Sequence, residues 1–372
     1  MRLFEISSNR IFGLDLLRMV AIMFVFLSHN EPLLPKLIAT VINNLYFDGV
    51  TIFFVLSGFL IGTILINSFE KRGSTIKQMF EFWIRRWFRT LPPYFLFVII
   101  IAVISKIFIE GFPLKIILPY IFFCQNLFTN TPGFFGESWS LAIEEWFYLL
   151  IPISIFAFSF FFKLRKSIIF TIIIFILISP IIRYHKYSLD ELPPIFYQIV
   201  AYRSDSIIYG VLGAYLSIYH HKWWFYNKKK FLILGIILLI SWKFLSIYFN
   251  TPFFKANINF PFFSIAILCI IPFLSNYKIE NYKIHHKIII NISLISYSLY
   301  LIHYSLVEKT IIKNILHPHI EDWSTLNIYI FENSLYWSLS FIGAFLSYKY
   351  FEIPTTNMRE YFSIKRHYKT IK

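Results

Sequence analysis

Long apolar runs separated by short charged loops dominate this chain. They lie roughly at 11–30, 45–67, 91–109, 115–128, 139–162, 167–184, 200–219, 230–249, 258–275, 288–308 and 327–350. Several are near or at the ~18–20 residues that cross a hydrocarbon core. Backbone polar groups in lipid need internal partners, so such spans must be helices. The pattern predicts an all-α integral membrane protein. No internal repeat and no Ser- or Gly-rich linker interrupts it, and no loop is long enough for a soluble domain of about 50 residues. Residues 1–372 are expected to form a single polytopic membrane domain.

Loop charge orients the spans, because cytoplasmic loops of membrane proteins carry an excess of Lys and Arg. Lys71, Arg72, Lys77, Arg85, Arg86 and Arg89 lie between the second and third apolar segments, the most basic loop of the chain. Placing it in the cytoplasm puts the N-terminus, with Arg2 and Arg10, there too. If all eleven segments crossed, the loops holding Lys163, Arg165 and Lys166, and Lys228, Lys229 and Lys230, would fall outside. If 115–128 does not cross, both loops return to the cytoplasm, as does the basic tail from Lys365 to Lys369. That segment has only ~14 residues, short for a span. The expectation is ten transmembrane helices with both termini cytoplasmic. Segment 115–128 is then a re-entrant or interfacial piece on the outer face.

Composition agrees with a membrane setting. Hydrophobic residues make up 57% of the chain and charged residues 15%, against about a quarter charged in soluble domains. The net charge of +15 fits either nucleic-acid binding or a positive-inside bias. Because the cations sit in short loops between apolar runs, it reads as the latter, and no nucleic-acid partner is expected. The basic-then-apolar N-terminus lacks the small-residue cleavage site of a signal peptide and reads as a retained first span. Cys124 and Cys269 both lie in apolar runs, so neither a disulfide framework nor a metal site is expected. No lipidation motif is present.

Ionisable residues inside spans are expensive and mark candidate function. The first span holds Asp15, Arg18 and His29. Arg18 and His29 are eleven steps apart, which at about 100° per residue aligns them within roughly 20° and separates them by about 16 Å along the axis. One helix face then carries a cation near the cytoplasm and an imidazole toward the outside; imidazole suits proton transfer near neutrality. Snorkelling of Arg18 to lipid phosphates is the plainer reading. Arg85, Arg86 and Arg89 precede Leu91-Pro92-Pro93, and such guanidinium forks suit phosphate, though they also serve as an ordinary anchor. Ser138, Ser140 and Glu144 open the 139–162 span. Ser140 and Glu144 share a face, with helix capping as the alternative role. Arg203 and Asp205 enter the 200–219 span, and His303 follows Tyr297 and Tyr300 inside 288–308. Each of these fits either a structural pair or core histidine, or a supporting role.

Taken in order, these motifs resemble the acyltransferase-3 family of integral membrane O-acyltransferases. The resemblance runs along nearly the whole chain. It rests on Gly13 to Arg18 with His29, Gly49 to Leu60, Arg86-x-x-Arg89, Ser138-Trp139-Ser140-Leu141-x-x-Glu144, Arg203-x-Asp205 with Gly210, Ser296 to His303, and Phe351-Glu352-x-Pro354. Two positions depart from the family pattern. Thr51 stands where many members carry Asp, and Trp146 where many carry Gln; both bear on acceptor choice rather than chemistry.

The resemblance implies an acyl-CoA donor, most commonly acetyl-CoA, and an acceptor hydroxyl on a surface glycan or lipid-linked glycan such as O-antigen, capsule or exopolysaccharide. It implies no permanently bound cofactor and no metal. Arg18, Arg86 and Arg89 are expected to hold the phosphates of CoA. His29 is expected to act as general base or acyl acceptor, with Glu144 orienting the imidazole. Some members carry an extracytoplasmic esterase-like domain, which is not expected here. Membrane lipids are the remaining expected partner. A transporter or flippase is the competing class, since polar residues in spans also mark solute pathways, but no repeat symmetry or pair of broken helices supports it. A structural subunit would leave the Arg18–His29 spacing unexplained.

Overall fold

The computed structural model describes residues 10–109, 111–131, 133–249 and 251–359, and among these it contains helices and no strand. The helices are α1 (Phe12–Asn30), α2 (Lys36–Leu45), α3 (Gly49–Arg72), α4 (Ile76–Phe108), α5 (Leu118–Ile121), α6 (Ser138–Ser159), α7 (Leu164–Ser188), α8 (Val200–Arg203), α9 (Asp205–Tyr219), α10 (His221–Tyr226), α11 (Lys228–Tyr248), α12 (Asn259–Leu274), α13 (Ile284–Ile302) and α14 (Thr325–Ser347). The expected readings of Arg2 and of the Lys365–Lys369 tail lie outside the described residues.

Eight helical stretches among the described residues are long and apolar enough to span a membrane, so the chain is a multi-pass membrane protein. The two further segments counted from sequence fall short for different reasons. Segment 200–219 breaks at Ser204 and leaves α9 with 15 residues, about 22 Å of helix against a hydrocarbon core of about 30 Å. Helix α14 has 23 residues, but Asn327, Glu332 and Asn333 lower its hydropathy. Segment 115–128 forms only a 3-10 turn (Leu114–Ile117), the single turn α5 and irregular backbone.

Helix α4 changes the place of the arginines. Sequence reading put Arg85, Arg86 and Arg89 in a loop before a span beginning near residue 91. Instead one helix of 33 residues runs through Pro92 and Pro93, about 50 Å long. Its excess over the hydrocarbon thickness carries the arginines on rigid helix at one end of the bundle. Thr75 caps this helix, its Oγ1 accepting from the Gln78 amide at 3.3 Å. The carbonyl oxygens left without a backbone donor by the prolines fall within a helix whose neighbours enclose it.

At the centre, α3 and α9 pack with their backbones almost touching. A Cβ on Gly58 would stand 1.9 Å from the Ile207 carbonyl oxygen, and one on Gly210 2.0 Å from that of Val55. Small residues permit this approach where lipid supplies no hydrophobic drive between helices. The pair joins a core built with α6, α7 and α12, and a second core unites α1, α4, α13 and α14.

Two π-helical stretches extend the last helices. His303–Leu316 continues α13, and Tyr348–Glu352 continues α14 into helical residues 353–359. Long π segments are rare and concentrate at functional sites; the first begins at His303.

Candidate active site

The site is a column between α1, α3, α4, α6 and α13. At its basic end Arg18 Nη1 donates to Ser293 Oγ at 3.3 Å and to Asp15 Oδ1 at 3.4 Å, while Arg10 Nε donates to Asp15 Oδ2 at 2.8 Å. Asp15 is therefore the acid that holds two cations in place. Arg86 Nη2 donates to Tyr148 OH at 2.9 Å and to Glu144 Oε2 at 3.3 Å, and its guanidinium lies over the Tyr148 ring. Tyr148 OH donates to Glu144 Oε2 at 2.6 Å, and Ser57 Oγ to Glu144 Oε1 at 3.4 Å. The buried Arg86 Nε has no hydrogen-bond partner among the described residues, so one donor of the fork is unused.

A cavity of about 120 Å³ rises from these groups, with Arg18, Arg86, Arg89 and Glu144 at one end and Ser140 and Tyr300 at the other. Apolar side chains of α3, among them Phe53 and Phe54, form one wall. At the far end Tyr300 OH and Ser140 Oγ share a hydrogen bond of 2.6 Å, and Tyr300 OH also donates to the Glu137 carbonyl at 3.0 Å.

The histidine pair lies one helical turn beyond Tyr300. His29 Nδ1 is 2.9 Å from His303 Nε2, and Tyr304 stacks on the His29 ring at 4.4 Å between centroids. His303 Nδ1 faces the Tyr300 carbonyl at 2.9 Å and the Leu299 carbonyl at 3.1 Å. Carbonyl oxygens only accept, so Nδ1 of His303 carries the proton. A neutral His303 then has a lone pair on Nε2, and His29 Nδ1 must donate to it. The proton-free nitrogen of the pair is His29 Nε2.

These contacts sort the residues expected from sequence. Arg18 and His29 do share a helix face: each meets α13, through Ser293 and His303 respectively. Arg18, Arg86, Arg89, Ser140 and Glu144 line one cavity. The expected partnership of Glu144 with His29 is corrected. Glu144 is held by Arg86, Tyr148 and Ser57, because it sits almost two turns into α6 and faces the middle of α4, whereas the group bonded to His29 is His303. Ser138 lies outside the cavity wall, with Oγ donating to the Phe135 carbonyl at 2.6 Å and accepting from Gln125 at 3.3 Å.

Arg203 and Asp205 form a separate buried network. Asp205 accepts from Arg183 at 2.7 Å and lies 3.8 Å from Arg203. Arg203 donates to Thr51 Oγ1 at 2.6 Å and approaches Asp48 at 3.5 Å, while Thr51 Oγ1 donates to Asp48. Thr51 thus lacks a carboxylate of its own, and Asp48, one helical turn earlier, supplies the charge. The other departure, Trp146, donates from Nε1 to the Phe123 carbonyl at 2.9 Å and ties the broken 115–128 segment to α6.

Sequence reading missed Glu137, Tyr148, Arg183 and Ser305. Glu137 is almost fully buried and accepts from the Ser305 amide at 3.2 Å and from its hydroxyl. Its position beside Ser138, and that of Ser305 two residues after His303, were the available signals. Arg183, fully buried near the end of α7, carried a stronger one, being a charge in an apolar run.

The family model described as an acyltransferase domain matches residues 11–350. A protein of Staphylococcus aureus (strain COL) named as an O-acetyltransferase is 27% identical over 92% of this chain and 56% of its own length. The peptidoglycan O-acetyltransferase OatA of Listeria monocytogenes is 40% identical over 28% of this chain and 19% of its own. The O-acetyltransferase OatA of Staphylococcus aureus (strain NCTC 8325 / PS 47) is 33% identical over 36% of this chain and 24% of its own. Even in the longest of these alignments the chain spans about half the length of the relative. No solved structure matches.

Proposed function

The chain belongs to the acyltransferase-domain family, and from that premise we propose that it is a membrane O-acyltransferase moving an acetyl group from acetyl-CoA to a hydroxyl of a surface glycan. The observation that carries the proposal is the column itself: a cationic end, a cavity lined by Arg18, Arg86 and Arg89, and beyond its far wall an imidazole with a free nitrogen. The basic end is assigned to the cytoplasm on the positive-inside rule, which is where CoA thioesters are available. The histidine end is then extracytoplasmic, together with the acceptor. One relative's name specifies peptidoglycan, which favours a cell-wall glycan within the wider class of surface polysaccharides.

In this reading Arg86, Arg89 and Arg18 bind the donor's phosphates, and the pantetheine arm lies along α3 toward Ser140 and Tyr300. Glu144 and Tyr148 fix the Arg86 fork, so they act as positioning residues for donor binding. His29 Nε2 takes the proton of the acceptor hydroxyl as its oxygen attacks the thioester carbon. The C–S bond breaks, the C–O bond forms, and the thiolate recovers the proton from the imidazolium. Alternatively His29 Nε2 first accepts the acetyl group and passes it on. Both routes need the same free nitrogen, and His303 keeps it free.

Replacing His29 with Ala tests the proposal. Acetylated glycan per unit of inserted protein should fall by about 10²–10⁴-fold, the scale of losing a general base, while binding of a non-hydrolysable acetyl-CoA analogue persists. Near-normal product from His29→Ala would remove His29 from the chemistry.

A further inference from the structure

A second cavity, of about 410 Å³, adjoins the first at the basic end. Arg85, Arg86, Arg89 and Arg359 line it with Ile61, Ile64 and Phe82, and among the described residues no carboxylate lies on its wall. Arg359 comes from the helical residues 353–359 that follow the π turn after α14. Among the described residues Arg86 has an acidic partner, Glu144, and the other three arginines form no ion pair. Guanidinium groups collected around one space repel each other unless a multiply charged anion sits among them.

The two cavities share Arg86 and Arg89, while Arg85 and Arg359 face only the outer one. The order along the column is therefore Arg85 and Arg359, then Arg86 and Arg89, then the inner cavity leading to Tyr300. Coenzyme A has a matching order: a phosphate on the ribose, then the diphosphate, then the pantetheine arm with its thioester. We infer that Arg85 and Arg359 form a dedicated subsite for the ribose phosphate of the donor, with Arg86 and Arg89 on the diphosphate. The inference rests on the CoA-donor reading and adds a specificity to it: the protein distinguishes acetyl-CoA from its 3′-dephospho form. A phosphate of an anionic lipid has the same chemistry, so the test is run without such lipids.

The full chain in nanodiscs of zwitterionic lipid is titrated with acetyl-CoA and with 3′-dephospho-acetyl-CoA, as wild type, Arg359→Gln and Arg85→Gln. Wild type should prefer acetyl-CoA by about tenfold or more, the scale of a hydrogen bond to a charged group. Each variant should lose most of that preference and bind the dephospho form as wild type does, which also reports that it is folded. Equal affinity of wild type for both compounds would overturn the subsite and leave the outer arginines to lipid phosphate. Equal weakening toward both ligands in the two variants would overturn it as well, reducing them to a general positive field. Wild type that binds neither compound would refute the CoA donor itself, and the subsite with it.

Discussion

At the scale of single residues, the histidine pair makes a prediction separate from that for His29. His303 is fully buried and spends its Nδ1 proton on backbone carbonyls, so its work is to hold His29 in one tautomer. His303→Gln keeps a polar side chain there, but its amide no longer presents a ring nitrogen at the same point. Turnover should fall by about 10–100-fold, less than for His29→Ala, since proton transfer by the base itself is worth 10²–10⁴-fold. KM for acetyl-CoA should stay unchanged, because the pair lies beyond the cavity proposed to hold the donor, and the pH–rate profile should shift as His29 loses its partner. A rise in KM without loss of kcat would place His303 in donor binding instead. The same scale explains the two departures from the family pattern. Thr51 borrows the charge of Asp48 for Arg203, and Trp146 uses its indole N–H to hold a backbone turn.

At the scale of elements, the column depends on α3 standing hard against α9, because α3 forms one wall of the cavity. Gly58→Ala places a methyl group 1.9 Å from a backbone oxygen of α9, an atom that moves only if the helix does. Overpacking of this kind costs typically 1–3 kcal/mol. Gly343→Ala is the matched control, its nearest neighbour being a side-chain atom at 3.5 Å. In detergent the first variant should melt several degrees below wild type and lose acyl transfer, and the second should do neither. Equal melting temperatures would mean that α3 and α9 separate readily, and the cavity would then not depend on their contact. Helix α4 makes the companion point: its 33 residues keep Arg85, Arg86 and Arg89 on one rigid rod, which preserves their mutual spacing better than a loop would.

For the whole molecule, the central question is which ends face which compartment. The 115–128 segment is broken into single turns and pinned by Trp146, so its two flanks should lie on one side of the membrane. A reporter fused after Asn130 should read extracytoplasmic and one after Lys166 cytoplasmic, with α6 crossing between them. A cytoplasmic signal at Asn130 would mean that segment 115–128 crosses the membrane after all and would overturn the ten-span topology.

Much of this was legible in the chain. Long apolar runs dictate helices because lipid offers backbone groups no partner, and charges inside such runs are too costly to be incidental. On those grounds Arg18, His29 and Glu144 stand out from sequence, Arg86 and Arg89 stand out as guanidinium forks beside a span, and the eleven-step spacing puts Arg18 and His29 on one face. Only the tertiary structure decided which residue meets which. That Glu144 bonds Arg86 while His303 bonds His29 depends on the rotation and depth of α6 and α13 against α1 and α4, and those are set by packing between helices far apart in sequence. Arg359 lines the same cavity as Arg85 for the same reason, across more than 270 positions. Periodicity reports the face a helix buries, and only the packed bundle reports what lies opposite it.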